Sequence, residues 1–303
     1  MKQATDTNVD MKGASSRRGA FHGFLSQFPL PLLPMFLLFL IFFIWPIGSL
    51  TINAFKSNEG AFTFSNISML FQGPYRLAFK NSITLGLISA LVGSIPGLLI
   101  AIAIEKQSNQ TLKKFVASIS GVLANTGGVP LAFMFLAAFG PAGLVISVLK
   151  SIGIDLYGIG FTLFSFSGLV IVYAYFQIPI MVIVISPAIS SLRREWKDSA
   201  ANLGASKIQY WIRVGIPLLL PSFIACFLLL FASAFSAYAT ARALTIGNIA
   251  LVPLQIGSLI DGNVNISQLN LGYALALGMI IVSLCAMVPY IWIQSRTSKW
   301  QQK

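Results

Sequence analysis

An all-α, polytopic membrane helix bundle with six transmembrane helices is the fold class this sequence predicts, and three observations predict it. The 303 residues are 56% hydrophobic and only 9% charged, and the mean hydropathy is +0.81; a soluble domain carries roughly a quarter charged residues. Nearly all the charge falls between long apolar stretches, as it does in membrane bundles. Those stretches are six in number and alike in length. This composition excludes a water-soluble enzyme.

The six runs free of Asp, Glu, Lys, Arg and His are Leu30 to Ala54, Ser82 to Ile104, Phe115 to Phe139, Phe166 to Ala188, Pro217 to Ala241 and Leu271 to Ile293, each 23 to 25 residues long. About 20 helical residues at 1.5 Å each cross roughly 30 Å of hydrocarbon, so every run is long enough to span. The first exceeds the apolar core of a secretory signal and follows nearly thirty polar-rich residues, which predicts a retained helix at 29–55 behind a tail at 1–28. Residues 295–303 form the other tail.

Dealing the loops alternately to two sides sets the orientation. One side, with both termini, receives Lys2, Lys12, Arg17, Arg18, Lys106, Lys113, Lys114, Arg193, Arg194, Lys197, Lys207, Arg213, Arg296, Lys299 and Lys303, fifteen cations; the other receives Lys56, Arg76, Lys80, Lys150 and Arg242, five. The richer side is predicted cytoplasmic. The formal charge of +12 is then a topology signal, and because it gathers on no single patch it predicts no nucleic-acid partner. Cys226 and Cys285 lie in apolar runs and His22 in the polar tail, so neither a disulfide framework nor a metal site is expected.

The connection between the fourth and fifth runs, 189–217, is too ordered for a tether. Ser190 or Ser191 can cap a helix, Arg193 to Leu203 holds good helix formers, and Gly204 stands where a left-handed residue ends one. A second short helix over Ser206 to Arg213 leads to Pro217. Trp196, Ala200 and Leu203 recur at i, i+4, i+7 and lay an apolar stripe beside charges; the stripe fits a partner protein, or alternatively a helix lying on the lipid surface.

Here the residues resemble a family. Asp198-Ser199-Ala200, three residues, Gly204, nine residues, then Val214-Gly215-Ile216-Pro217 resembles the EAA loop of permease subunits in binding-protein-dependent ABC importers, whose pattern is Glu-Ala-Ala, three, Gly, nine, Ile, one, Leu-Pro. Asp198 stands for the Glu, Ser199 for the first Ala, Val214 for Ile and Ile216 for Leu. The resemblance implies the type I importer permease fold, with a five-helix core at 81–294, the coupling loop at 189–217 and an extra first span. It also implies that Glu195, Asp198, Ser199, Ala200, Gly204 and Ala205 meet an ATPase subunit. Tyr75 to Leu85, Tyr173 to Pro179, Leu203 to Ser206 and Phe235 to Leu254 resemble the branch serving polyamines, ferric iron, thiamine and aminoethylphosphonate.

The resemblance further implies partners: two ATPase subunits, a second permease and a periplasmic or lipid-anchored binding protein, in a bacterial cytoplasmic membrane with both termini cytoplasmic. ATP and Mg belong to the ATPases; this chain, which has no phosphate-binding Gly-rich loop, is expected to bind no cofactor and to catalyse nothing. A path between paired permeases draws on residues polar or helix-breaking at mid-membrane: Asn125, Thr126, Gly127, Gly128, Pro130, Tyr173, Tyr175, Gln177, Ser233, Ser236 and Tyr238. Each equally serves close helix packing. Arg242 ends the fifth run on the outer side, free to face a solute or to snorkel, and the connection after it, 243–270, is expected to form a re-entrant turn or a docking surface. With Lys80 and Arg76 against Glu59 and Asp261, that mouth is weakly basic and favours an anion or zwitterion over a polyamine. The rival class, an ion-coupled secondary transporter or channel, usually needs carboxylates or histidines inside the spans, and these runs contain none. A membrane enzyme would need a nucleophile, base or metal cluster assembled from the spans, and none assembles.

Overall fold

The computed structural model describes residues 33–57, 59–245, 247–261 and 268–301, with the side chains of 194, 294 and 296–301 left aside. The tail at 1–28 and His22 lie outside the described residues. The chain divides into two units, Met1–Asn53 and Ala54–Lys303.

The first unit contributes helix α1, Leu33–Ala54, all but its last residue. A wide π-type turn at Leu40–Ile44 precedes Pro46, whose ring would otherwise meet the carbonyl four residues back. The second unit begins with a short hairpin, in which Lys56 bridges Phe62 antiparallel, and the one-turn-plus helix α2, Ser65–Met69. Then follow α3, Gly73–Glu105; α4, Gln110–Asn125; α5, Gly128–Phe139; α6, Leu144–Ser151; and α7, Phe166–Ser190. After the short α8, Arg194–Asn202, come α9, Lys207–Ser236; α10, Ala239–Thr245; α11, Val252–Ile260; and α12, Leu269–Gln301. Residues 295–301 thus prolong α12. No strand occurs among the described residues, and six helical segments are long and apolar enough to cross a membrane.

At the centre α3 lies along α7, with α9 against both and α12 on α9. Small residues permit this approach. A Cβ on Gly93 would stand 2.6 Å from Gln177 Cβ, and one on Gly97 2.6 Å from Met181 Cβ and 2.8 Å from the Ile178 carbonyl. Ser89, Ala90, Ser94 and Ala101 continue the buried face of α3, so backbone rather than side chain sets the spacing, as in membrane helix pairs generally. One core cluster gathers around Tyr173 and Leu131, a second around Met181 and Phe235, and a third joins Ala54 and Leu70 to Leu271 and Leu275.

Two runs expected to be continuous are broken. The third divides at Thr126 and Gly127, where α4 stops and Gly128 starts α5 at φ +73°; the apolar segment of spanning length is Gly128–Ser151, displaced from Phe115 to Phe139. The cause is local, since Asn125, Thr126 and two glycines are poor helix formers and the Asn125 and Thr126 side chains turn back to the carbonyls of Gly121 and Val122 at 2.8 Å. The fifth run ends at Ser236, because Ala237 is extended, and Arg242 stands on α10 instead of closing α9.

Candidate functional site

Two surfaces hold the residues singled out above: the short helix α8, and the place where the broken helices meet. On α8 the expected serine cap is not used. Ser190 is the last residue of α7 and Ser191 caps its end, each donating to a carbonyl of that helix at 2.9 and 2.8 Å. Arg193, extended, occupies the cap position without a side-chain bond, and Glu195 in the first turn complements the helix dipole.

The end of α8 follows the glycine logic. Gly204 takes φ +77° with nothing within 4 Å of a Cβ built on it, so only backbone strain excludes other residues there. Its N–H donates to Ala201 and that of Ala205 to Ala200, at 2.9 and 3.0 Å. Ser206 then closes a reciprocal capping box with Gln209. The helix so started runs on as α9 through a π-type turn at Trp211–Gly215, so no separate second arm precedes Pro217. A Cβ on Gly215 would lie 2.6 Å from the Trp211 ring, and the Lys106 ammonium lies 5.1 Å from the centroid of that ring.

Glu195, Asp198 and Ser199 are exposed, Ala200 and Ala205 half-buried. Among the described residues Asp198 has no ion pair. The predicted stripe is uncovered too, with Trp196 39% and Leu203 87% exposed and only the Arg193 guanidinium, 6.0 Å away, over the indole. Contacts of α8 within the chain are few and fall on the start of α9. It is a short arm with an unused apolar face, a free carboxylate and a rigid base.

The second surface forms where α5 and α10 begin. Thr240 donates to the Gly128 carbonyl at 3.2 Å, and a Cβ on Gly128 would touch that of Ala239 at 3.7 Å. This bond ties the first turn of α5 to α10. Asn125 and Ser236 are exposed and Thr126, Ser233 and Tyr238 half-buried around these breaks. Tyr238 receives a 2.6 Å hydrogen bond from Arg242, which also pairs with Asp261 at 3.0 Å. Gly257 allows this, since a Cβ there would come within 2.7 Å of the Tyr238 hydroxyl.

Other expected path residues are not on this surface. Tyr173 is fully enclosed and donates to the Ala237 carbonyl at 3.1 Å; Tyr175 is half-buried, edge-on to Phe135. Gln177 is fully enclosed between α3 and α9, its amide nitrogen 3.3 Å from Ser89 Oγ and 3.4 Å from the Leu230 carbonyl. The pairing of Arg242 with Asp261 was not read from the sequence, although Gly257 and Asp261, four residues apart, were a signal of one helical face.

Interrupted helices meeting inside a six-span bundle, with a short exposed arm set between two spans, define a polytopic membrane transport subunit of the importer-permease fold. The chain belongs to the family described as binding-protein-dependent transport system inner membrane component, matched over residues 82–299, the permeases of ABC importers. It is 25% identical over 85% of its length to 86% of a probable sulfate transport system permease protein cysT of Nephroselmis olivacea. It is also 31% identical over 44% of its length to 47% of the spermidine/putrescine transport system permease protein PotB of Escherichia coli (strain K12). Among solved structures it matches a chain of a bacterial alginate ABC transporter in complex with alginate pentasaccharide-bound periplasmic protein, with TM-score 0.65 and 21% identity, over 95% of this chain and 97% of that one.

Proposed function

We propose that this chain is a membrane-spanning permease subunit of an ATP-driven importer. With a second, different permease it lines the path of a small polar solute handed over by a binding protein. Two ATPases, which carry ATP and Mg, grip α8; the chain itself holds no cofactor and performs no chemistry. It sits in a bacterial inner membrane with both termini in the cytoplasm, an orientation supported by fifteen cations against five. The carrying observation is α8: an exposed nine-residue helix with a free Asp198, stopped by a left-handed Gly204 and seated on the rigid start of α9.

Such an arm converts movement of a gripped helix into rocking of the helix bundle behind it. Replacing Gly204 by Asp keeps every membrane span but strains the backbone at φ +77°, and adding bulk at Ala200 or removing Asp198 alters the gripped face. In a reconstituted complex Gly204→Asp is expected to insert normally and to lose solute-stimulated ATP hydrolysis. Wild-type stimulation would sink the proposal.

For the solute we place an anion or zwitterion of the aminoethylphosphonate kind first and a polyamine second, ahead of thiamine and ferric iron. The sulfate permease relative, aligned over most of both chains, favours the anion; the polyamine permease relative favours the second reading. Desolvating a polycation calls for carboxylates or aromatic faces, and these spans offer the faces alone. Thermal-shift screening of the cognate binding protein with aminoethylphosphonate, spermidine, thiamine and ferric iron decides: stabilisation by spermidine alone reverses the order.

A further inference from the structure

The base of the α8 arm meets the bundle at one aromatic ring. Trp211 opens the π-type turn at Trp211–Gly215 and is half-buried against the second core cluster, whose members include Ala101 of α3, Ile189 of α7 and Leu219 of α9. Tyr210, buried beside it, meets the indole edge-on with 6.0 Å between centroids. Gly215 brings bare backbone to the same ring, since a Cβ there would stand 2.6 Å from Cε3 and 3.1 Å from Cζ3. The Lys106 ammonium lies over the ring, 5.1 Å from its centroid, inside the ~6 Å reach of a cation–π contact.

Lys106 caps the end of α3, where a cation also suits the helix dipole. The acid beside it is engaged elsewhere: Glu105 pairs with Lys113 at 3.2 Å, and Lys113 donates besides to the Glu105 carbonyl at 3.0 Å. Among the described residues Lys106 forms no ion pair, and its charge faces the indole instead. Backbone bonds alone do not make the base of the arm stiff. Pro217 has no N–H for the Arg213 carbonyl and Pro221 none for that of Pro217, and the π-type turn widens the helix just before them. A displacement applied at α8 would be lost in bending there unless a side chain tied the weak stretch to a neighbouring helix. Trp211 is that side chain.

We propose that Lys106 and Trp211 are positioning residues that form the joint through which α8 moves the bundle, a reading that rests on the function proposed above. The indole, carried by the base of the arm and held under the ammonium at the end of α3, makes α8, the first turns of α9 and the end of α3 travel as one body. Motion then reaches α7 through the close contacts of Gly93 and Gly97 with Gln177 and Met181, instead of ending in a bend at Pro217.

The test reads a spin-label distance between Ala201→Cys on α8 and Gln107→Cys just past α3, both exposed positions, in the assembled transporter with its ATPases and binding protein. The exposed Cys285 is replaced by Ser and the buried Cys226 is kept. Between the nucleotide-free state and the state trapped with ATP, Mg and vanadate, the distance in the otherwise wild-type chain is expected to hold to about 2 Å or less, the scale of a small helix shift. Lys106→Met keeps the stem and removes the charge, and Trp211→Leu removes the ring; in each the distance is expected to change by more than about 2 Å between the two states. Lys106→Arg and Trp211→Phe, which keep cation and ring, are expected to behave as wild type. A role in packing alone would leave Lys106→Met like wild type, and that result overturns the joint. So does a wild-type distance that itself shifts further, or an Arg variant that behaves like Met. Should Trp211→Leu fail to assemble, the two Lys106 variants decide. A complex purified without any ATPase overturns the proposed function, and the joint with it.

Discussion

Arg242 meets three groups at once: the Asp261 carboxylate at 3.0 Å, the Tyr238 hydroxyl at 2.6 Å and the Tyr238 ring, 5.6 Å from its centroid. Its charge is therefore partly spent within the chain, and the mouth expected on this side is less basic than the residue count alone implies. Both partners are about half exposed, and an exposed pair contributes about 1 kcal/mol or less. Asp261→Asn is accordingly expected to leave the thermal midpoint within a few degrees of wild type. It frees a guanidinium at the mouth, so the apparent KM for uptake falls if the solute is anionic and rises if it is a polyamine. Uptake measured with the solute identified by the thermal screen checks this, and a KM unmoved in either direction would refute a role for mouth charge. Gln177 shows the opposite case: a polar residue chosen for its mid-membrane position is sealed between helices, with a weakly bonded amide nitrogen and, among the described residues, no partner for its Oε1. Position along a run does not reveal which side of the helix faces a path.

At the scale of elements, the α3 and α7 pair depends on two glycines one turn apart. A Cβ on Gly97 would be forced to within 2.6 Å of Met181 Cβ, and the Ile178 carbonyl, being backbone, has no rotamer with which to yield. Gly97→Val is expected to cost about 1 to 3 kcal/mol, the usual range for overpacking, read as a lowered unfolding midpoint in detergent; a wild-type midpoint would show that the helices separate without penalty. Most elements were legible because membrane helices announce themselves by length without charge, and α8 because its helix formers and the stop at Gly204 are local chemistry. The breaks at Thr126 and Ala237 were not, since a charge-free run has no mark that separates one helix from two. The run Asn125-Thr126-Gly127-Gly128 carried the weaker signal of poor helix formers. At Ala237 there is no such signal: the interruption is held by tertiary bonds, Tyr173 to the Ala237 carbonyl and Thr240 to that of Gly128, which join residues far apart in the chain. The cap of α8 falls on Arg193, two residues past the serines expected to supply it.

Across the whole molecule, the described surfaces of this chain are incomplete as a pore. Asn125, Ser236, Tyr238 and Arg242 line one side of the meeting between α5 and α10, and the residues enclosed within the chain, Tyr173 and Gln177, leave no passage through it. A path must then run along an outer face of the bundle, where lipid would otherwise contact exposed polar groups that the bilayer disfavours. In the function proposed above a second permease supplies the missing wall, and a different one can supply the acids that this chain's spans lack. The expected assembly is therefore one copy of this chain, one of a second permease, two ATPases and a binding protein. Intact-mass measurement of the complex purified from native membranes is expected to return that composition. Two identical copies of this chain would refute the heterodimer while leaving a paired path in place, whereas a single copy with two ATPases and no second permease would refute the paired path itself.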